Sequence, residues 1–246
     1  MPVERYAAVL KDLRAKILDG TYPVNYPLPH TDQLKETYGV AAATITRVMS
    51  VLKAEGLIWR VANRGMIVQP PPIPVDLAIA AAPHNEHTRW SEACRRAGIT
   101  GQLREGLAAF TTAADHQTAA ALRVAEGEPV VWWSRVAVVG ERPAVFHDRV
   151  YYPPGIVRDV PAGVSVRQVF EYVLTRIDPA TSYAHSTTTV RPATDDEASM
   201  FKISAGMPVY DVTRVIYDQH DQPYELLRRV ANPLRVRLVE RGLPLS

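Results

Sequence analysis

Two arginines stand where a polypeptide could read nucleic acid. Arg47 lies among Ala43, Thr44, Thr46 and Ser50, on a segment that also carries Ile45, Val48, Met49 and Leu52 at helical spacing. An arginine on the outer face of such a helix can pair with a guanine edge in the major groove, and a threonine can contact a phosphate or a thymine methyl. Arg64 stands beside Gly65 in a short turn, where the missing Cβ lets the backbone approach a minor groove that attracts cations. A lone arginine is more often a solvated charge, so the surrounding elements must decide. Arg135, which follows the apolar run Val130 to Trp133, and Arg214, among Val212, Val215 and Ile216, suggest a different chemistry. A cation on an otherwise apolar strand must find solvent or a partner, and a pocket supplies one.

The elements that must position the first pair are legible. Tyr6, Val9, Leu10, Leu13 and Ile17 share one face of a helix that Gly20 ends. After the turn-rich stretch Tyr22 to Pro29, a short helix starts at His30 or Thr31, carries Leu34 and Tyr38 inward and stops at Gly39. The Ile45 stripe follows at once and Gly56 breaks it, which makes a helix-turn-helix. Leu57 to Val61 and Met66 to Val68 are β-prone runs around Ala62, Asn63, Arg64 and Gly65, a hairpin that serves as a wing. Pro70, Pro71, Pro72, Ile73 and Pro74 favour polyproline II, so a spacer is expected over residues 70–75, between a domain of residues 1–69 and one of residues 76–246.

The larger domain is expected to be α+β on a mainly antiparallel sheet. Helices are expected over His87 to Ala97, Asp115 to Leu122, Ser165 to Arg176 and Asp195 to Phe201. Strands are expected over Leu103 to Thr112, Val130 to Val139, Ala144 to Tyr152, Ser182 to Val190, Val209 to Tyr217, Tyr224 to Ala231 and Arg235 to Glu240. The pair around the polar loop Asp218 to Pro223 reads as a hairpin.

Composition narrows the function classes. A chain of 246 residues with 47% hydrophobic and 22% charged residues can build two modest cores. The net charge of +2 is small, but nine Lys and Arg against six Asp and Glu precede residue 73, so the basic excess sits at the front. A single cysteine, Cys94, excludes an internal disulfide and a multi-cysteine zinc site. No apolar run reaches the roughly 18 to 20 residues of a membrane span, and Glu4 and Asp12 do not suit a signal peptide. A cytoplasmic location and no membrane partner are expected. His84, His87, His116, His185 and His220 are too scattered for a metal site, and His147 beside Asp148 lacks a paired nucleophile. Neither a metal, a cofactor nor an enzymatic activity is expected.

The residues Tyr6, Leu13, Ile17, Gly20, Leu28-Pro29, Leu34, Tyr38-Gly39-Val40, Thr44-Ile45, Leu52, Glu55-Gly56-Leu57-Ile58 and Gly65 to Val68 fall at the spacing of GntR-type bacterial regulators, which this stretch resembles. The remainder resembles the HutC-like branch with its UTRA effector domain, through Gly127, Val130 to Arg135, Pro143 to Pro153, Ser165 to Ile177, Gly206-Met207-Pro208-Val209 and Asp221-Gln222-Pro223-Tyr224-Glu225. The resemblance implies a winged helix-turn-helix followed by a chorismate-lyase-like domain. It also implies a homodimer on an inverted-repeat double-stranded DNA operator, repression, and release by a small-molecule effector such as a sugar phosphate or small carboxylate. It carries over Arg135, His147, Asp148, Ser165, Glu225 and Arg228 as effector contacts. For Ser165 there is a physical reason as well, because a helix N-terminus offers free amides to an anion.

The departures fall on contact positions. Ala41, Ala42 and Thr46 stand where the family has Ser, Arg and Arg, and His30, Thr31 and Asp32 replace its Ser-Glu-Arg. DNA contact is therefore expected from His30, Thr31, Gln33, Thr44, Thr46, Arg47, Arg64 and Gly65, on an operator unlike the family consensus. Asn232 replaces an arginine seven residues beyond Glu225, which leaves open a constitutive repressor without effector response. A lyase-like enzyme built on the C-terminal domain, since a fold does not fix a function, and a non-sensing architectural DNA binder are the remaining alternatives.

Overall fold

The computed structural model describes residues 2–239 apart from 62, 77–85, 107–109, 141–142, 158–163 and 179–180. The chain divides into two compact units, Met1–Pro72 and Ile73–Ser246.

The first unit holds helices α1 (Pro2–Leu18), α2 (Thr31–Tyr38) and α3 (Ala42–Ala54), then strands β1 (Ile58–Val61) and β2 (Gly65–Val68). The expected stripes build its core: Val9, Leu13 and Ile17 of α1 meet Leu34 of α2, Ile45, Val48 and Leu52 of α3, and Ile58 and Val68 of the hairpin. Polar ties brace the same helices. Arg14 pairs with Glu55, and the Tyr38 hydroxyl donates to Asp12 Oδ2 (2.6 Å), which Lys16 also approaches (2.7 Å). β1 and β2 pair antiparallel from Ile58↔Val68 to Val61↔Gly65, and Asn63 and Gly65 take the positive φ values (60° and 79°) that close so short a turn. The stretch read as turn-rich docks along β2: Leu28 N–H donates to the Met66 carbonyl (2.7 Å) and Val68 N–H to that of Tyr26 (3.0 Å).

The second unit begins with β3 (Ile73–Asp76) and α4 (Glu86–Arg96), then β4 (Gly101–Glu105), β5 (Phe110–Ala113), α5 (His116–Leu122), β6 (Pro129–Val139) and β7 (Phe146–Tyr152). It continues with α6 (Pro154–Val157), α7 (Val166–Leu174), β8 (Tyr183–Pro192), α8 (Asp195–Phe201), β9 (Pro208–Tyr217), β10 (Pro223–Ala231) and β11 (Val236–Val239). The main sheet runs β4-β6-β7-β10-β9-β8 with β5 also on β6, and every pairing in it is antiparallel.

Two expectations need correction, and one element was not foreseen. The single strand Leu103 to Thr112 is two strands, both on β6. Gly106 sits between them, close enough to the Ser134 carbonyl that a Cβ would lie 3.3 Å from it. The second half of the proline-rich spacer is β3, parallel to β11, where Pro74 is tolerated because only one side of the strand is paired. The short helix α6 was not expected at all. Glu240, placed at the end of the last strand, lies outside the described residues.

Alternation gives the sheet two differently covered faces. On one, Val166, Val169 and Val173 of α7 pack on Trp133, Val150, Tyr152, Ile216 and Leu227. On the other, α5 covers Val130, Tyr151 and Leu226, and Phe201 of α8 packs with Val209, Val136 and Val230. α4 seals the end of the α7 face with Trp90 and Cys94 against Ala137 and Phe146. Its approach to β4 depends on Gly101, where a Cβ would meet Cys94 Sγ at 2.2 Å. Among the described residues no helix is long and apolar enough to cross a membrane.

Candidate functional site

Each unit carries a candidate surface. In the first, α3 presents Thr46, Arg47 and Ser50 to solvent because the four buried residues of its stripe fix the opposite side; Thr44 is half-buried at the margin. Arg47 is exposed, with its guanidinium 4.9 Å from the Tyr6 ring of α1. Moving it onto a base edge would give up that contact, worth about 0.5–1 kcal/mol at an exposed site. The Thr46 hydroxyl donates to the Ala42 carbonyl (3.0 Å), which leaves its methyl and lone pairs facing outward. No side chain caps α3 at Ala41. At α2, His30 N–H donates to Gln33 Oε1 (3.0 Å), so Gln33 is engaged in closing the helix, while His30 and Thr31 remain exposed. Arg64 donates to the Asn25 carbonyl (3.1 Å), which holds the exposed guanidinium against the wing beside Gly65.

In the second unit the α7 face buries charge. Asp148 is fully enclosed and accepts from Arg135 Nε (2.8 Å) and from both Nε (2.7 Å) and Nη2 (2.9 Å) of Arg229. Burial alone would raise its pKa, but the guanidiniums of Arg229 and Arg135 overcome that and hold it at about 2. Two strands over, Arg214 Nε donates to Ser186 Oγ of β8 (3.1 Å). Glu225, buried on the same face by its position two residues before Leu227, is pushed above the ordinary carboxyl value by desolvation. Glu225 Oε2, the Tyr152 hydroxyl and Trp133 Nε1 are all buried without a hydrogen-bond partner, although Tyr152 lies near enough to both neighbours to feel them. Three arginines thus share this face with two carboxylates, one of which burial drives toward neutrality.

The structure brings Arg135, Asp148 and Glu225 together, with Ser165 at the N-cap of the covering helix. Ser165 is exposed; its N–H donates to Gln168 Oε1 (2.9 Å) and its hydroxyl accepts from Gln168 N–H (3.3 Å). His147 and Arg228 do not join them, because each is one residue from a member of the cluster and strand alternation turns it to the other face. Arg228 there pairs with Asp115 (3.3 Å), the N-cap of α5, and lies 5.5 Å from the Tyr151 ring. His147 is partly buried, and its pKa is lowered by desolvation and then by Arg149. Sequence reasoning missed Arg229 and the orphaned Tyr152 hydroxyl. The parity of Glu225, Leu227 and Arg229 was the available signal. Asn232 serves the turn after β10, its Oδ1 accepting from Leu234 N–H (3.0 Å). His84 lies outside the described residues, and among those described no group of three potential ligands could hold a metal.

Comparison with known proteins agrees with this layout. Residues 5–68 match the gntR family of bacterial regulatory proteins and residues 105–237 match the UTRA domain. Across 95% of this chain and 92% of its own length, the Escherichia coli K12 protein named "Probable fructoselysine utilization operon transcriptional repressor" is 24% identical. The Bacillus subtilis HTH-type transcriptional repressor NagR is 22% identical over 93% of this chain and 90% of its own. The crystal structure of PhnF from Mycobacterium smegmatis superposes with a TM-score of 0.55 at 22% identity, covering 95% of this chain and 98% of that one, and so shares the fold. With the helix-turn-helix and wing in one unit and the sheet in the other, the chain belongs to the gntR family of bacterial regulatory proteins and carries its effector module as a UTRA domain.

Proposed function

We propose that the protein is a cytoplasmic transcriptional repressor. As a homodimer it holds an inverted-repeat operator through two winged helices, and it lets go when a small anionic metabolite enters the α7 face of its sheet. One observation carries the effector half of this reading. The buried cluster has an excess of arginine and leaves Glu225 Oε2, the Tyr152 hydroxyl and Trp133 Nε1 without partners. Unsatisfied buried polar atoms each cost about 1–3 kcal/mol, a cost that a bound molecule with an anionic end and hydrogen-bonding groups would remove. A sugar phosphate or a small hydroxylated carboxylate has that chemistry. The names of the E. coli and B. subtilis relatives, both repressors, support the regulatory half. The protein acts by binding rather than by turnover.

DNA contact is assigned to Arg47, Thr44 and Thr46 of α3, to His30, Thr31 and Gln33 at the start of α2, and to Arg64 with Gly65 on the wing. The test is protection mapping of DNA flanking the gene, with and without a panel of sugar phosphates and carboxylates. A protected inverted repeat released by one compound is the expected result. Protection that no compound relieves would instead favour a constitutive repressor, and absence of specific protection would remove the regulatory reading. By reciprocity, the releasing compound must bind free protein more tightly than operator-bound protein.

A further inference from the structure

The outward side of α3 is short of the groups that read base edges by hydrogen bonding. From Ala42 to Ser50 the residues run Ala, Ala, Thr, Ile, Thr, Arg, Val, Met and Ser, so Arg47 is the one side chain there that can make a bidentate bond to a base. Ala42, Ala43, Thr46 and Ser50 are all exposed. Both hydroxyls among them are already committed: Thr46 Oγ1 donates to the Ala42 carbonyl (3.0 Å) and Ser50 Oγ to the Thr46 carbonyl (3.0 Å). What this strip turns outward is a set of methyl groups, from Ala42, Ala43 and Thr46. Arg47 is drawn off the strip. It adjoins Thr44 and Val51, three residues before and four after it, the half-buried margin of the helix. Its guanidinium lies 4.9 Å from the centre of the Tyr6 ring on α1, the helix whose Val9 and Leu13 pack on the buried stripe of α3. A helix in the major groove turns its crest to the base edges and its flanks to the phosphates on either side. A guanidinium stacked on a ring still has N–H groups to give to an oxyanion.

We propose that α3 reads its operator through thymine methyl groups, met by Ala42, Ala43 and Thr46, while Tyr6 holds Arg47 against a backbone phosphate. The proposal rests on the operator-binding reading above and names what distinguishes the operator. Thymine alone carries a methyl group in the major groove, so T·A pairs, rather than guanines, mark the half-site positions under the first two turns of α3. Arg47 then supplies affinity without sequence information, and Tyr6 is a positioning residue that acts through it.

The test begins with selection of binding sites from a randomised double-stranded DNA library by the full chain. The selected duplex is then remade with deoxyuridine in place of single thymines, which removes the C5 methyl and keeps every hydrogen-bonding group of the base. Loss of one contacted methyl should weaken binding about fourfold, the contribution of one buried methyl-sized group. Thr46→Val, which keeps the methyl, should select the same thymine, and Thr46→Ser, which loses it, should select it less. Arg47→Ala should weaken binding to selected and unselected DNA by the same factor and lower the salt slope by about one, with the selected sequence unchanged. Tyr6→Leu should weaken binding in the wild type and have no further effect in the Arg47→Ala background. A loss that persists in that background is merely structural and removes Tyr6 from the positioning role. Deoxyuridine duplexes bound as tightly as the thymine duplex at every position overturn the methyl readout, and a guanine that disappears from the selected site with Arg47→Ala returns base reading to Arg47. Either result leaves the operator-binding reading standing. A library from which no sequence is enriched overturns both.

Discussion

The two faces of the main sheet carry the same residue types in very different settings. On the α7 face, Asp148 is shut away from water between Arg135 and Arg229, at 2.7–2.9 Å. On the α5 face, one residue along the same strands, Arg228 reaches an Asp115 whose side chain is 62% exposed, at 3.3 Å. The Arg228–Asp115 contact still lowers the Asp115 pKa to about 2, with help from the Thr118 amide. Water screens it, however, and such pairs contribute about 0–1 kcal/mol. The buried triad is different: its charges have no solvent to fall back on, so removing one member strands the others. Similar geometry and a similar carboxylate pKa therefore correspond to unequal energetic consequences, and burial makes the difference.

The largest expected effect follows from Asp148→Asn, which leaves two enclosed guanidiniums without their shared carboxylate. It should cost about 3–5 kcal/mol, read from the chemical-denaturation midpoint. A midpoint within error of the wild type would mean the triad is not structural. Next comes the contrast between neighbours: Arg229→Ala should cost about 3 kcal/mol or more and Arg228→Ala less than about 1 kcal/mol. Equal losses would erase the distinction between the faces.

Glu225 sharpens it through pH. Its folded-state pKa is raised above 4.5, so the folded protein favours the protonated acid, and that contribution is complete below 4.5 and lost as pH climbs through the raised value. The stability gap between Glu225→Gln and wild type should thus shift in favour of the variant from pH 4 to pH 7. A gap that does not change over that range would place Glu225 in contact with solvent. The smallest effect belongs to His147, whose lowered folded pKa makes the unfolded chain the better proton acceptor. Wild type should lose a little stability as pH falls through 6.5, and His147→Gln should lose less. Effector affinity should be indifferent to that substitution, and a marked loss would bring His147 into the site.

Much of this was legible in the chain. The stripe Ile45, Val48, Met49, Leu52 fixed α3 and its outer face, because a period of 3.6 leaves one solution. The strands around Arg135, Asp148 and Glu225 were found for the corresponding reason at period 2. What binary pattern alone did not reveal was which neighbour faces inward when both are polar. Binary pattern sorts apolar from polar, and at His147-Asp148 and Arg228-Arg229 both members are polar. Parity counted from Trp133, Val150 and Leu227 resolves them once the pairing register is known. Gly106 and β3 were missed because they depend on partners distant in sequence, Ser134 and Val236.

The alanines at the start of α3 have one more consequence. With no side chain at Ala41 to accept from the first turn, that end of the helix has open amides and is free to fray. Amide hydrogens in a frayed turn exchange quickly with solvent until an acceptor arrives, and a DNA phosphate is such an acceptor. The segment that reads the operator would then owe part of its own order to the molecule it reads.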